Sequence, residues 1–220
     1  MKLITRLVDT SDPTSLSARF RRRRFAFFRD LLLSVPKPVT ILDVGGTQEF
    51  WEVSGFADKK DIYITLLNLG AAPTSHPNFT TVIGDATAMT QFRDGQFDVV
   101  FSNSVIEHVG DYSQQRQMAD EVRRVGRRYF VQTPNFFFPV EPHFLFPAYH
   151  WLPLSVQIWL AMHLTLGTYK KFDNAADAKA EIEAIRLLTA KSLIALFPGA
   201  RIYHERLLGL IKSVSVYDGW

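Results

Sequence analysis

Thr40-Ile41-Leu42-Asp43-Val44-Gly45-Gly46-Thr47 is the stretch on which the fold turns. Five residues read as a short buried strand, and two glycines follow without a break. A strand that runs straight into Gly-Gly turns tightly there and brings its backbone close to whatever sits beyond it. Asp43 places a carboxylate at the strand end, two residues before Gly45.

Working outward, the same punctuation recurs. Asp61–Asn68, Phe79–Asp85, Phe97–Asn103 and Tyr129–Thr133 are four further apolar runs bounded by turn residues and read as strands. Helices are expected up to about Ser34, stopped by Pro36 and Pro38, and over about Gln114–Val125, Ala178–Leu188 and Lys191–Phe197. Asp12-Pro13-Thr14-Ser15 offers cap chemistry for the first of them. Arg201–Arg206 and Lys212–Tyr217 read as a closing antiparallel pair. Strands alternating with helices predict an α/β fold: a Rossmann-like parallel sheet with a C-terminal antiparallel strand pair and helices on both faces. Ligands of such sheets sit beyond the carboxyl ends of the strands. Asp43, Asn68, Asp85, Asn103 and Thr133 all fall at or just after those ends.

The chain has 220 residues, 47% of them hydrophobic and 13% aromatic, which suits a single domain over 1–220. It has no cysteine, which excludes disulfides, thiolate metal sites and cysteine nucleophiles. A net charge of +3 is too modest to indicate nucleic acid, and no nucleic-acid partner is expected. Arg6 and Asp9 break the apolar run at the N-terminus, so it does not read as a signal peptide. The apolar stretch from Trp151 to Leu166 contains Pro153, Gln157 and His163 and is too short to span a membrane. A soluble, cytoplasmic protein is the expectation, with oligomeric state open.

These residues resemble the class I S-adenosylmethionine-dependent methyltransferases, in particular the small bacterial group called methyltransferase type 11. The resemblance rests on Ile41–Thr47, Leu67-Asn68-Leu69, Gly84-Asp85-Ala86 and, most specifically, Phe97–Val109, which reads FDVVFSNSVIEHV. It implies S-adenosylmethionine as cofactor. By that resemblance Asp43, Gly45 and Gly46 hold the methionine end, Asn68 and Leu69 the ribose side, Asp85 and Ala86 the adenine, and Ser102 and Asn103 the sulfonium pocket. The chain departs from the family pattern twice. Thr47 and Glu49 stand where the loop usually has glycines, and Asn68 stands where an acid is usual. A dinucleotide fingerprint is not met by Gly45–Phe50.

Methyl transfer needs alignment of nucleophile, carbon and sulfur, and an oxygen nucleophile also benefits from a base. His108 and the Glu141/His143 pair are the catalytic candidates, with His150 a third histidine to consider. Adjacent Glu107 and His108 are expected to point apart on a helix. Glu141 and His143 alone are too few ligands to argue a metal, so none is expected. The aromatic, proline-punctuated segment 136–175 sits where a substrate lid is expected, and its composition suits an apolar or lipid-like small-molecule acceptor. The N-terminal basic helix, 1–36, carries Arg21–Arg24. Its arginines are read as mostly solvated, with an anionic acceptor or a peripheral membrane contact left open. The expected function is methyl transfer to a small or lipid-like metabolite. The alternative, favoured by the altered loop and Asn68, is a catalytically weak methyltransferase-fold protein acting as a binding or regulatory module.

Overall fold

A computed structural model describes residues 16–70 and 73–220. The expected cap at Asp12–Ser15 and the N-terminal Met1–Asp9 segment lie outside them. The elements run in the order α1 (Leu16–Leu32), β1 (Val39–Val44), α2 (Gln48–Val53), β2 (Ile62–Asn68), β3 (Phe79–Ile83), β4 (Val99–Asn103), α3 (Tyr112–Val125), β5 (Tyr129–Pro134), α4 (Leu154–His163), α5 (Ala175–Glu183), α6 (Ala190–Leu196), β6 (Arg201–Leu207) and β7 (Leu210–Asp218).

The strands form one sheet in the order β3-β2-β1-β4-β5-β7-β6. β1 to β5 are mutually parallel, while β7 is antiparallel to β5 and β6 antiparallel to β7. The order reverses between β1 and β4, so the ligand crevice of this architecture opens at their carboxyl ends. Register fixes what lies there: Asp43 stands opposite Leu66 and Phe101, and Val44 opposite Leu67 and Ser102.

Strands buried on both faces need apolar residues at consecutive positions, and β1 has them. Ile41, Val99, Phe101 and Phe130 pack on one face with Phe28 of α1 and Trp51 of α2. Leu42, Val44, Val100 and Val131 pack on the other with Met118 and Val122 of α3 and Leu193 of α6. The helix α3 begins two residues before the expected Gln114, because Asp111 accepts from Ser113 and Gln114 in a capping box. α5 starts at Ala175 under an Asn174 cap and ends at Glu183. Leu188, expected inside that helix, is instead in an extended segment bridged to Asn135.

The segment after β5 builds its own small core. Phe144, Tyr149, Ala161 and Leu166 pack with Ala178 and Ile182 of α5. The apolar run from Trp151 contains the helix α4, and no helix among the described residues is long and apolar enough to cross a membrane. On α1, Arg22 and Arg23 are exposed but Arg24 is buried. Its guanidinium lies 3.6 Å from Glu205, which also pairs with Lys212 at 3.2 Å. One of the four arginines is therefore a structural tie between α1 and the β6–β7 hairpin.

Candidate active site

The glycine loop is short because Thr47 ends it. Its side chain accepts from the Phe50 amide and caps α2, so the chain re-enters a helix three residues after β1. Gly45 sits at φ +77°, and a Cβ there would lie 2.6 Å from a Val105 methyl. Only glycine meets both demands. At Gly46 a Cβ would fall 1.5 Å from Asp43 Oδ2, so the Asp43 carboxylate lies directly against the loop backbone.

Asp43 is 1% exposed. Trp51 Nε1 donates to its Oδ2 at 2.6 Å, while Oδ1 is buried with no hydrogen-bond partner among the described residues. Burial raises its pKa from 3.8 to about 7, and the Trp51 hydrogen bond opposes the rise. Trp51 is a site residue the sequence reading missed. Its partner lies eight positions away across a turn, and no periodicity signals that contact.

The other strand ends are arranged in order along the same edge. Asn68 Nδ2 donates to the Gly46 carbonyl at 2.9 Å, so this side chain braces the glycine loop. Leu69 is 81% exposed and Ile83 62%, an apolar surface at the ends of β2 and β3. Asp85 is exposed, and its Oδ1 accepts from both the amide and the hydroxyl of Thr87 at 2.8 Å. Ala86 packs against the core below it. Ser102 is fully buried and donates to Val44 O at 3.3 Å, tying β4 to β1, and Asn103 is half-buried beyond it.

A second cluster forms where β4 and β5 end. A 3-10 turn at Ile106–His108 follows β4, and the Glu141–His143 loop follows β5. His108 Nε2 and His143 Nε2 are 3.1 Å apart. Glu141, only 2% exposed, takes His143 Nδ1 at 2.5 Å and the amides of His143 and Phe144 at 2.8 and 2.6 Å. Gly167, at φ +56°, lets its backbone press on this loop, since a Cβ would sit 2.2 Å from the His143 carbonyl. Burial works to lower the His143 pKa, but the hydrogen bond and charge of Glu141 outweigh it and the net shift is upward. Burial, then the neighbouring His143, hold His108 below its usual value.

Glu107 completes the cluster. It is fully buried, its Oε2 accepts from the Thr133 hydroxyl at 2.9 Å, and burial lifts its pKa to about 7. The sequence reading considered Glu107 only as a support for His108. Thr133, the last of the strand-end polar residues, is what orients it. The three candidates His108, His143 and Glu141 are thus brought together.

Behind Glu141 lies a cavity of about 380 Å³, lined among others by Phe136, Tyr149, His150, Leu154 and Arg186. His150 Nε2 lies 2.7 Å from Phe136 O, and its Nδ1 is buried without a partner among the described residues.

Comparison with known proteins agrees with this fold. Residues 61–129 match the family model described as a methyltransferase domain. That match runs from β2 to the start of β5, and over this stretch the chain is similar to methyltransferase domains. Two uncharacterized Mycobacterium tuberculosis proteins are each 29% identical to it over 129 residues, 58% of this chain and 41% of theirs. The chain thus spans about two-fifths of the length of the curated relatives it matches. Among solved structures, a methyltransferase from Methanosarcina mazei superposes with a TM-score of 0.52 at 13% identity, covering 86% of this chain and 95% of that one. A Haemonchus contortus phosphoethanolamine N-methyltransferase bound to phosphomonomethylethanolamine and S-adenosylhomocysteine superposes at 0.52 with 12% identity, over 83% and 38%. At such identities the two structures speak for the methyltransferase fold. The matched region contains Asn68, Leu69, Asp85, Ala86 and the β4 block, and begins after the glycine loop.

Proposed function

We propose that the protein transfers a methyl group from S-adenosylmethionine to a small or lipid-like acceptor. The observation that carries the reading is Asp43: a buried carboxylate at the β1–β4 switch point, pressed against Gly46, with one oxygen left without a hydrogen-bond partner. An ammonium donor such as the methionine end of the cofactor satisfies that oxygen. Leu69 and Ile83 offer an apolar face for the adenine, and Asp85 stands beside them to accept from its amino group. S-adenosylmethionine, when bound, supplies an electrophilic methyl on a sulfonium.

The chain's own residues do the rest. Gly45 and Gly46 keep the loop low so that a ligand can approach the strand ends, and Asn68 fixes that loop through the Gly46 carbonyl. The lid excludes water and its cavity receives the acceptor, at a volume within the range usual for small-ligand pockets. Phe136, Tyr149 and Leu154 in its wall, together with the exposed Val156 and Trp159 of α4, favour an acceptor with an apolar portion. His143, oriented by Glu141, is placed to take the proton that an oxygen or nitrogen acceptor gives up.

The competing reading, a binding module without turnover, draws on Asn68. Its amide is engaged by the loop and lacks the charge of an acid. Calorimetric titration with S-adenosylhomocysteine separates the proposal from an empty fold, and transfer of labelled methyl into fractionated cell extract separates it from a silent binder. Binding plus a labelled product supports the enzyme. Failure to bind at millimolar ligand removes it.

A further inference from the structure

We propose that Glu107, His108 and His143 form a binding site for a divalent first-row metal ion, with one coordination position left for an oxygen donor of the acceptor. The ion-binding part stands on these side chains alone. Its role toward the acceptor rests on the methyl-transfer reading above.

Three observations converge. One ligand atom from each residue lies within 4.8 Å of the others. Two imidazoles and a carboxylate form a donor set that suits zinc, iron, cobalt or manganese. Metal–nitrogen bonds of about 2.0–2.1 Å in a tetrahedral ion place two ligand atoms roughly 3.3 Å apart. The two Nε2 atoms are 3.1 Å apart, so an ion fits between them with little movement.

The protonation pattern points the same way. Glu141 is buried and already takes two backbone amides, and it faces His143 Nδ1 at 2.5 Å. That contact suits a proton on Nδ1, the tautomer in which Nε2 is free to ligate. A carboxylate behind the distal nitrogen of a histidine is the arrangement by which metal-ligating imidazoles are oriented and made more basic. Glu141 is then a positioning residue that acts through His143.

A plain hydrogen bond between the two imidazoles accounts for their distance but leaves Glu107 unexplained. Glu107 is fully buried, Thr133 holds its Oε2, and its Oε1 has no hydrogen-bond partner among the described residues. Burying a carboxylate oxygen without a donor is costly. A cation seated between Glu107 and the two histidines removes that cost and uses all three groups at once.

Three protein ligands leave at least one position open on a four-coordinate ion. The acceptor class that follows carries a hydroxyl or carboxylate oxygen able to occupy that position. Bound so, an oxygen is fixed in place before the methyl arrives and a hydroxyl's proton passes to solvent; with the ion in place this replaces the proton-accepting role given to His143 in the metal-free site.

The test uses the full chain without a histidine tag, stripped with a chelator and titrated with zinc by calorimetry and with cobalt(II) by visible absorption. The expected result is one equivalent of each metal, with intense cobalt bands of a four- or five-coordinate site. Glu107→Gln and His143→Ala should each weaken zinc binding at least tenfold. Glu141→Gln should weaken it by about 10–100-fold while retaining the stoichiometry. His163→Ala, on the exposed end of α4, should leave it unchanged. Circular dichroism of each stripped variant separates loss of binding from loss of fold, and Glu107→Gln preserves shape where His143→Ala does not. Acetohydroxamate, an oxygen-donor probe, should shift the cobalt bands. Absence of stoichiometric metal on the folded wild type, or equal affinity in the ligand variants, overturns the site. Cobalt bands that ignore acetohydroxamate overturn the open position. S-adenosylhomocysteine titration of the same sample keeps the two readings apart. Metal without that ligand contradicts methyl transfer alone, and that ligand without metal contradicts the metal site alone.

Discussion

Replacing Trp51 by Phe tests the state of Asp43. The substitution keeps an aromatic ring in the α1–α2 layer and removes the donor at 2.6 Å from Oδ2, the single hydrogen bond that the buried carboxylate makes among the described residues. Burial raises the Asp43 pKa from 3.8 to about 7. At about 1.4 kcal/mol per pH unit this amounts to roughly 4 kcal/mol favouring the acid over the anion in the folded state. The sign follows from the direction of the shift. A carboxyl raised on folding contributes stability that is complete below pH 3.8 and is lost as pH rises through about 7. The wild type should therefore be more stable at about pH 5 than at about pH 8.5 by up to a few kcal/mol from this group. In Trp51→Phe the lost bond is neutral at low pH, costing about 0.5–1.5 kcal/mol, and charged at high pH, costing about 1.5–3 kcal/mol. Packing loss from the smaller ring is the same at both pH values and cancels in the comparison. Urea unfolding of both proteins at the two pH values should show the variant's deficit larger by about 1–2 kcal/mol at the higher one. A pH-independent deficit would mean that Asp43 keeps one protonation state across this range, and the account of a buried carboxyl that titrates near 7 would be refuted. Saturating S-adenosylhomocysteine should flatten the wild-type pH dependence, because its ammonium favours the anion.

Other outcomes follow from the same geometry. Gly46→Ala places a methyl 1.5 Å from Asp43 Oδ2, and thermal unfolding should show a loss above about 3 kcal/mol or no folded protein. Asp85→Ala should weaken S-adenosylhomocysteine binding by roughly 1–3 kcal/mol in calorimetry, and unchanged affinity would remove Asp85 from the adenine role. Arg24→Ala leaves Glu205 buried with Lys212 as its remaining ion-pair partner, and should destabilise the fold by about 3–5 kcal/mol in denaturant titration without altering cofactor affinity.

Much of the fold was legible because parallel strands buried on both faces must be short apolar runs, and Ile41–Val44 or Val99–Phe101 cannot be hidden in a sequence. The reversal in strand order that sets the crevice is not written in any one strand, but the strand-end polar residues mark the same edge. The site was legible as a roster and not as a geometry. His108 and His143 are 35 positions apart and meet only because β4 and β5 are neighbours in the sheet. Helical geometry makes Glu107 a poor support for its neighbour His108, whereas the segment is a single 3-10 turn whose glutamate points inward to Thr133. Arg24 was read with its three neighbours as solvated, since a run of identical residues carries no sign of which one turns toward a buried Glu205. The loop's irregular spelling has a local cause as well: Thr47, in place of a glycine, is the cap of α2.

The most direct test of the central claim is a crystal structure of the protein grown with S-adenosylhomocysteine. The account predicts the ligand's ammonium group beside Asp43 and the Gly45–Gly46 backbone, with its adenine against Leu69 and Asp85. Density for the ligand elsewhere, or a crevice between β1 and β4 left vacant at saturating ligand, would contradict it.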